Sequence, residues 1–280
     1  MRPTTASRPV ADPVRRRVRH LVLLGDSTAV GLGDPVPGGG WRGFGPLLRD
    51  ALGDPRRPGP VLLSNHARTG ARMADVRVHQ LPAVTGRPDV VVLCAGMNDT
   101  LRSDFDPRAL RRDAAAVLEP LLGGGTTVLL LRFHDHTRMW PLPGPLQRAL
   151  AGRIAALNAA VDGAVADAVA RTGRACVGVL DLDSAGSYDP AAWSVDRLHP
   201  SELGHRLLAR GFAALLADAG FAVPAEVGLD AAGGRETTAW QRGAWLVVQG
   251  VPWLVRRGRD LGPVMVRGLV DGARTRRAAA

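Results

Sequence analysis

The sequence predicts a three-layer α/β/α sandwich around a central five-stranded parallel sheet, and three features of its pattern carry that expectation. Five short apolar runs, at residues 21–24, 61–64, 90–94, 128–131 and 176–180, are bounded by turn-forming residues. Longer stretches with apolar residues at helical spacing separate them. The runs are apolar throughout instead of alternating, the mark of parallel strands covered on both faces.

Taken in order, residues 1–19, with Arg15, Arg16, Arg17 and Arg19, read as a disordered tail. The first strand, Leu21 to Leu24 in sequence, runs into the small-residue turn Gly25-Asp26-Ser27. Residues 31–45 are Gly-rich and read as a mobile rim loop, with Trp41 and Phe44 either walling an acyl site or simply packing. Pro35 and Pro37 remove backbone donors there and no Gly-Lys-Ser/Thr follows, so a phosphate cradle is excluded. Leu47, Leu48, Ala51 and Leu52 mark a helix, and Gly70 follows the second strand. Gly96-Met97-Asn98-Asp99 follows the third, with Asp99 expected to bond local backbone N–H groups. Leu110, Ala114, Val117, Leu118 and Leu121 mark the next helix.

His134-Asp135-His136 follows the fourth strand and reads as pocket lining; with no third distant ligand in a recognisable pattern, no metal site is expected. Ile154, Leu157, Val161, Val165 and Val169 give the longest helix. After the fifth strand a longer loop carries Asp196 and His199, and Pro200-Ser201-Glu202 opens a helix over 201–216. The main domain is thus expected over 20–222. The remainder, 223–280, changes composition: a polar, Gly-rich stretch precedes Trp240, Trp245 and Trp253 among aliphatic residues. It reads as a helical extension that packs back on the domain, with an amphipathic lid, a dimer contact or, through Arg256, Arg257 and Arg259, an anionic membrane surface as the alternatives.

The net charge of +10 comes wholly from arginine, since lysine is absent. These arginines are scattered, with dense runs only toward the two ends, so solvated tails are expected and no nucleic-acid partner. Cys94 and Cys176 sit in apolar runs that read as central strands and do not suggest a disulfide framework. The apolar run before Gly25 is too short for a secretory signal, and no eighteen consecutive apolar residues occur, so a cytoplasmic location is expected.

In open parallel sheets the chemistry gathers at the carboxyl ends of strands, where Ser27, Gly70, Asn98 and His134 all fall. Ester hydrolysis needs a nucleophile, a base, a group orienting that base and donors for an oxyanion. Ser27, His199 and Asp196 fill the first three roles. The backbone N–H groups of Ser27 and Gly70 and the side-chain amide of Asn98 fill the fourth.

In that order, Gly25-Asp26-Ser27, Gly70, Gly96-Met97-Asn98-Asp99 and Asp196 with His199 resemble the four blocks of the SGNH (GDSL-type) hydrolase family over about residues 21–216. Thr28 stands where the name-giving motif has Leu. The layout is similar to a leaderless actinobacterial subgroup. The resemblance implies a flavodoxin-like fold and a cofactor-independent serine esterase that forms an acyl-enzyme on Ser27. It would act on short acyl or O-acetyl esters of small molecules or sugars. Lysophospholipase or thioesterase activity, and a non-catalytic membrane-surface module, are the alternatives.

Overall fold

Five strands form one sheet: β1 (His20–Gly25), β2 (Leu62–Asn65), β3 (Val90–Cys94), β4 (Thr127–Arg132) and β5 (Val177–Asp181). This computed structural model describes residues 15–234 apart from 57, 58, 140, 141, 143 and 184–187. The strand order is β2-β1-β3-β4-β5 and every neighbouring pair is parallel, with Leu21 opposite Val90 and Gly25 opposite Cys94. Central strands β1, β3 and β4 are buried almost throughout, whereas edge strands β2 and β5 are partly exposed. Cys176 therefore sits beside an edge strand, not a central one.

Two longer helices cover each face. α2 (Phe44–Leu52) packs with α7 (Glu202–Asp218), and α5 (Pro107–Gly123) packs with α6 (Gly144–Thr172). Short helical turns α1 (Ser27–Val30), α3 (Met73–Asp75) and α4 (Met97–Thr100) begin just beyond β1, β2 and β3. The expected helix starts have local causes. Asp106 caps α5 by accepting from Arg108 N, with Pro107 in the first turn, and Ser201 caps α7 by accepting from Gly204 N. By length and composition α6 alone among the described helices is long and apolar enough to cross a membrane. Its Leu150, Ile154, Leu157 and Val161 are instead buried in the core, and its Asp162 and Asp167 pair with Arg132 and Arg111.

Strand order reverses between β1 and β3, and at such a switch point the two connecting segments leave to opposite faces and open a crevice. Ser27 leaves β1 and Asn98 leaves β3 at that crevice.

Three sequence expectations need correction. The N-terminal tail is not free up to residue 19: Arg16 N donates to Gly220 O at 2.9 Å, Ala222 N donates to Arg16 O at 2.7 Å, and Val18 is fully buried. The domain does not end at 222. Val227 is buried in the core, and Glu202 and Arg206 bond the backbone of Ala232 and Gly228. The 31–45 rim is anchored at both ends, because fully buried Asp34 accepts from Arg42 Nε at 2.9 Å and from Gly43 N at 3.2 Å. Arg42 also pairs with Glu202 at 2.8 Å. Phe44 is a core residue packed on Phe212 and His205, whereas Trp41 stands exposed. The Trp-bearing extension from 235 onward lies outside the described residues.

Candidate active site

The turn that presents Ser27 is built from the exit of β1. Gly25 has φ +136°, and a Cβ there would lie 1.9 Å from Cys94 O, so no side chain fits between the two strands. The buried Gln80 amide clamps the same residue, accepting from Gly25 N at 2.7 Å and donating to Gly25 O at 2.8 Å. Asp26 N donates to Cys94 O at 2.9 Å, and Asp26 Oδ1 caps α1 by accepting from Thr28 N at 3.0 Å. Ser27 thereby starts a helical turn at the strand end.

His199 arrives from the other end of the chain on a folded loop. Trp193 and Pro200 pair across it as an antiparallel bridge, with Ser194 N on His199 O at 2.8 Å and Ser201 N on Ala192 O at 2.9 Å. Asp196 organises the interior: Oδ1 accepts from Ser194 Oγ at 2.6 Å, Leu198 N at 2.9 Å and His199 N at 3.0 Å. Arg197 takes a left-handed conformation, φ +55°, to close the turn.

Across 172 residues of sequence, Ser27 Oγ and His199 Nε2 meet at 2.8 Å. His199 Nδ1 and Asp196 Oδ2 are 2.6 Å apart. Burial alone would raise the Asp196 pKa, but hydrogen bonds from His199 and Ser194 overcome it and hold the group at about 2. It is thus a carboxylate at neutral pH. An imidazole with one nitrogen facing a hydroxyl can deprotonate it, and a carboxylate at the other nitrogen stabilises the resulting imidazolium.

Asn98 Nδ2 donates to Ala71 O at 3.1 Å and to Asp26 Oδ2 at 3.4 Å. It therefore links the neighbour of Gly70 to the neighbour of Ser27. Gly70 has φ +81° and open space on its Cβ side, and its neighbour Ala71 is the residue that Asn98 bonds. Asp99 bonds its own backbone N–H, as expected, and also accepts from Met73 N at 3.1 Å and Arg72 Nε at 3.3 Å, pinning the loop after β2 to α4. Among the described residues no group of three or more His, Cys, Asp or Glu is arranged to hold a metal.

Sequence reasoning passed over Gln80, Ser194 and Asp26. Gln80 and Ser194 carry no motif. Asp26 was legible as part of Gly-Asp-Ser, but only the fold shows it buried, with desolvation pushing its pKa up to about 6 against the pull of the Thr28 amide.

The family described as GDSL-like lipase/acylhydrolase matches residues 23–207. Solved structures share the fold. A catalytic mutant of an acetylxylan esterase from Geobacillus stearothermophilus is 17% identical, with TM-score 0.53 over 74% of this chain and 96% of its own. The lipase/acylhydrolase from Enterococcus faecalis is 19% identical, with TM-score 0.51 over 71% and 94%. A family 3 carbohydrate esterase of Clostridium thermocellum is 19% identical, with TM-score 0.51 over 73% and 100%. No curated protein sequence matches the chain. With the match spanning well over half of its 280 residues, the chain belongs to the GDSL-like lipase/acylhydrolase family of ester hydrolases.

Proposed function

We propose that the protein hydrolyses short-chain acyl or O-acetyl esters of small molecules or sugars through an acyl-enzyme on Ser27. The observation that carries this reading is the Ser27–His199–Asp196 chain of contacts at 2.8 and 2.6 Å. Ser27 Oγ attacks the acyl carbon while its proton passes to His199 Nε2. The carbonyl oxygen, now negative, is held by the N–H groups of Ser27 and Gly70 and by Asn98 Nδ2, which turns from its present acceptors. Collapse expels the alcohol, which takes the proton from His199. Water then attacks the acyl-Ser27 carbonyl with His199 as base, the acid leaves, and Ser27 regains its proton. Asp196 remains a carboxylate throughout and holds Nδ1–H. This chemistry calls on side chains and backbone alone, without a cofactor, and we place it in the cytoplasm.

Hydrolysis of p-nitrophenyl acetate and octanoate by the wild type and by Ser27→Ala tests the reading. Ser27-dependent turnover favouring acetate supports it. An octanoate preference would point to lipid or thioester substrates, and equal rates for both proteins would point to a non-catalytic module.

A further inference from the structure

His134 and His136 lie where β4 ends, and nothing in the reaction above uses them. Both are buried, at 1% and 2% exposure, and burial lowers their pKa to about 4 and about 3, so both rings are neutral at working pH. The rings pack on each other with centroids 4.1 Å apart. Neither nitrogen of His134 has a hydrogen-bond partner among the described residues, so that imidazole serves by shape and π contact. What rests on the pair is Trp193, with its centroid 4.9 Å from His134 and 4.7 Å from His136. Tyr188 closes the stack edge-on against His134 at 5.1 Å.

Trp193 is also the residue whose backbone bridges Pro200, next to His199. The hydrogen bonds around Asp196 give the 192–201 loop its internal shape, yet they all lie within the loop. They cannot by themselves fix how far the loop stands from Ser27. The ring stack joins the loop to the end of β4, beside a hydrogen bond from His136 to the Leu198 backbone, and β3 lies between β4 and the strand that presents Ser27.

We propose that Trp193, seated on the stacked imidazoles of His134 and His136, is a positioning residue that sets the distance from His199 to Ser27. The proposal rests on the esterase reading above, since a misplaced imidazole matters only if Ser27 is the nucleophile. A displacement of about 1 Å in a reacting group costs on the order of 100-fold in rate. A misplaced base lowers kcat and leaves ground-state binding of the substrate largely unchanged.

The test measures kcat and KM on p-nitrophenyl acetate, and the rate at which a fluorophosphonate labels Ser27, for wild type, Trp193→Ala, Trp193→Phe, His134→Ala, the double variant Trp193→Ala with His134→Ala, and Ser27→Ala. Thermal melts accompany each. Trp193→Ala is expected to lose about 100-fold in kcat and in labelling rate, with KM within about twofold, and Trp193→Phe to recover most of that loss by restoring a ring. His134→Ala, which leaves His136 under the indole, should show part of the defect, and the double variant should lose no more than Trp193→Ala alone, because Trp193→Ala already removes the contact that His134→Ala removes. Full kcat in Trp193→Ala, additive losses, or a Trp193→Phe no better than the Ala variant would overturn the proposal. Those outcomes leave the esterase reading intact if wild type exceeds Ser27→Ala. Absence of hydrolysis and of Ser27 labelling in the wild type would overturn both.

Discussion

Asp196 accepts four hydrogen bonds within its own loop, three of them at Oδ1, and orients His199 through the fourth. Replacing it by Asn keeps the shape but forces a side-chain amide toward Nδ1, selecting the wrong imidazole tautomer. We expect Asp196→Asn to lower kcat by about 10⁴-fold with little change in KM, read from ester hydrolysis. On the proposed mechanism Asn98→Ala removes one oxyanion donor and is expected to lower kcat by about 10²–10³-fold. Both residues were picked out in the sequence, Asn98 by its place just beyond a strand and Asp196 by its spacing from His199 ahead of a helix start. Phe44 was not settled by its pattern, since an aromatic near the site reads equally as pocket or core; only its contact with Phe212 and His205 decides for core.

At the scale of elements, strands and helices emerged from apolar periodicity to within a residue or two at most ends. The shifts have physical causes: β5 runs to Asp181, whose carboxylate lies 3.6 Å from Arg132 of β4, a contact no hydropathy pattern shows. Connections were less legible. The 31–45 segment is glycine-rich, and glycine reports freedom; the buried Asp34–Arg42 pair and its link to Glu202 come from residues far apart in sequence. The Gln80 clamp on Gly25 belongs to the same class. Because Gln80→Ala leaves both Gly25 backbone groups without this buried partner, it is expected to destabilise the fold by about 2–4 kcal/mol, measured by urea unfolding. A loss below about 0.5 kcal/mol would show that β1 leaves its strand without the clamp.

For the whole molecule, the sheet and the crevice at its switch point followed from the alternation of strands and helices, while the domain limits did not. Residues 223–234 are polar and Gly-rich, yet they supply carbonyls that Arg206 and Arg42 need. A chain stopped at residue 222 is therefore expected to melt below one stopped at 234, and equal melting temperatures would contradict that boundary. Global stability should also depend on pH. Burial holds His134, His136 and His205 at about 4, 3 and 4, below the ordinary 6.5. Their contribution is present above 6.5 and is lost as pH falls toward those values, because the unfolded chain binds the protons first. Asp26, raised to about 6, acts in the opposite sense, its contribution being present below 3.8 and lost as pH rises through 6. Three depressed imidazoles outweigh one raised carboxyl, so the urea midpoint should drop between pH 7 and pH 5, and by less in His134→Phe. The central claim is tested most directly by peptide mass mapping after brief exposure to a fluorophosphonate, with wild type beside His199→Ala. The account predicts rapid adduct formation at Ser27 in the wild type and little in the variant; an adduct elsewhere, or equal labelling of both, would contradict it.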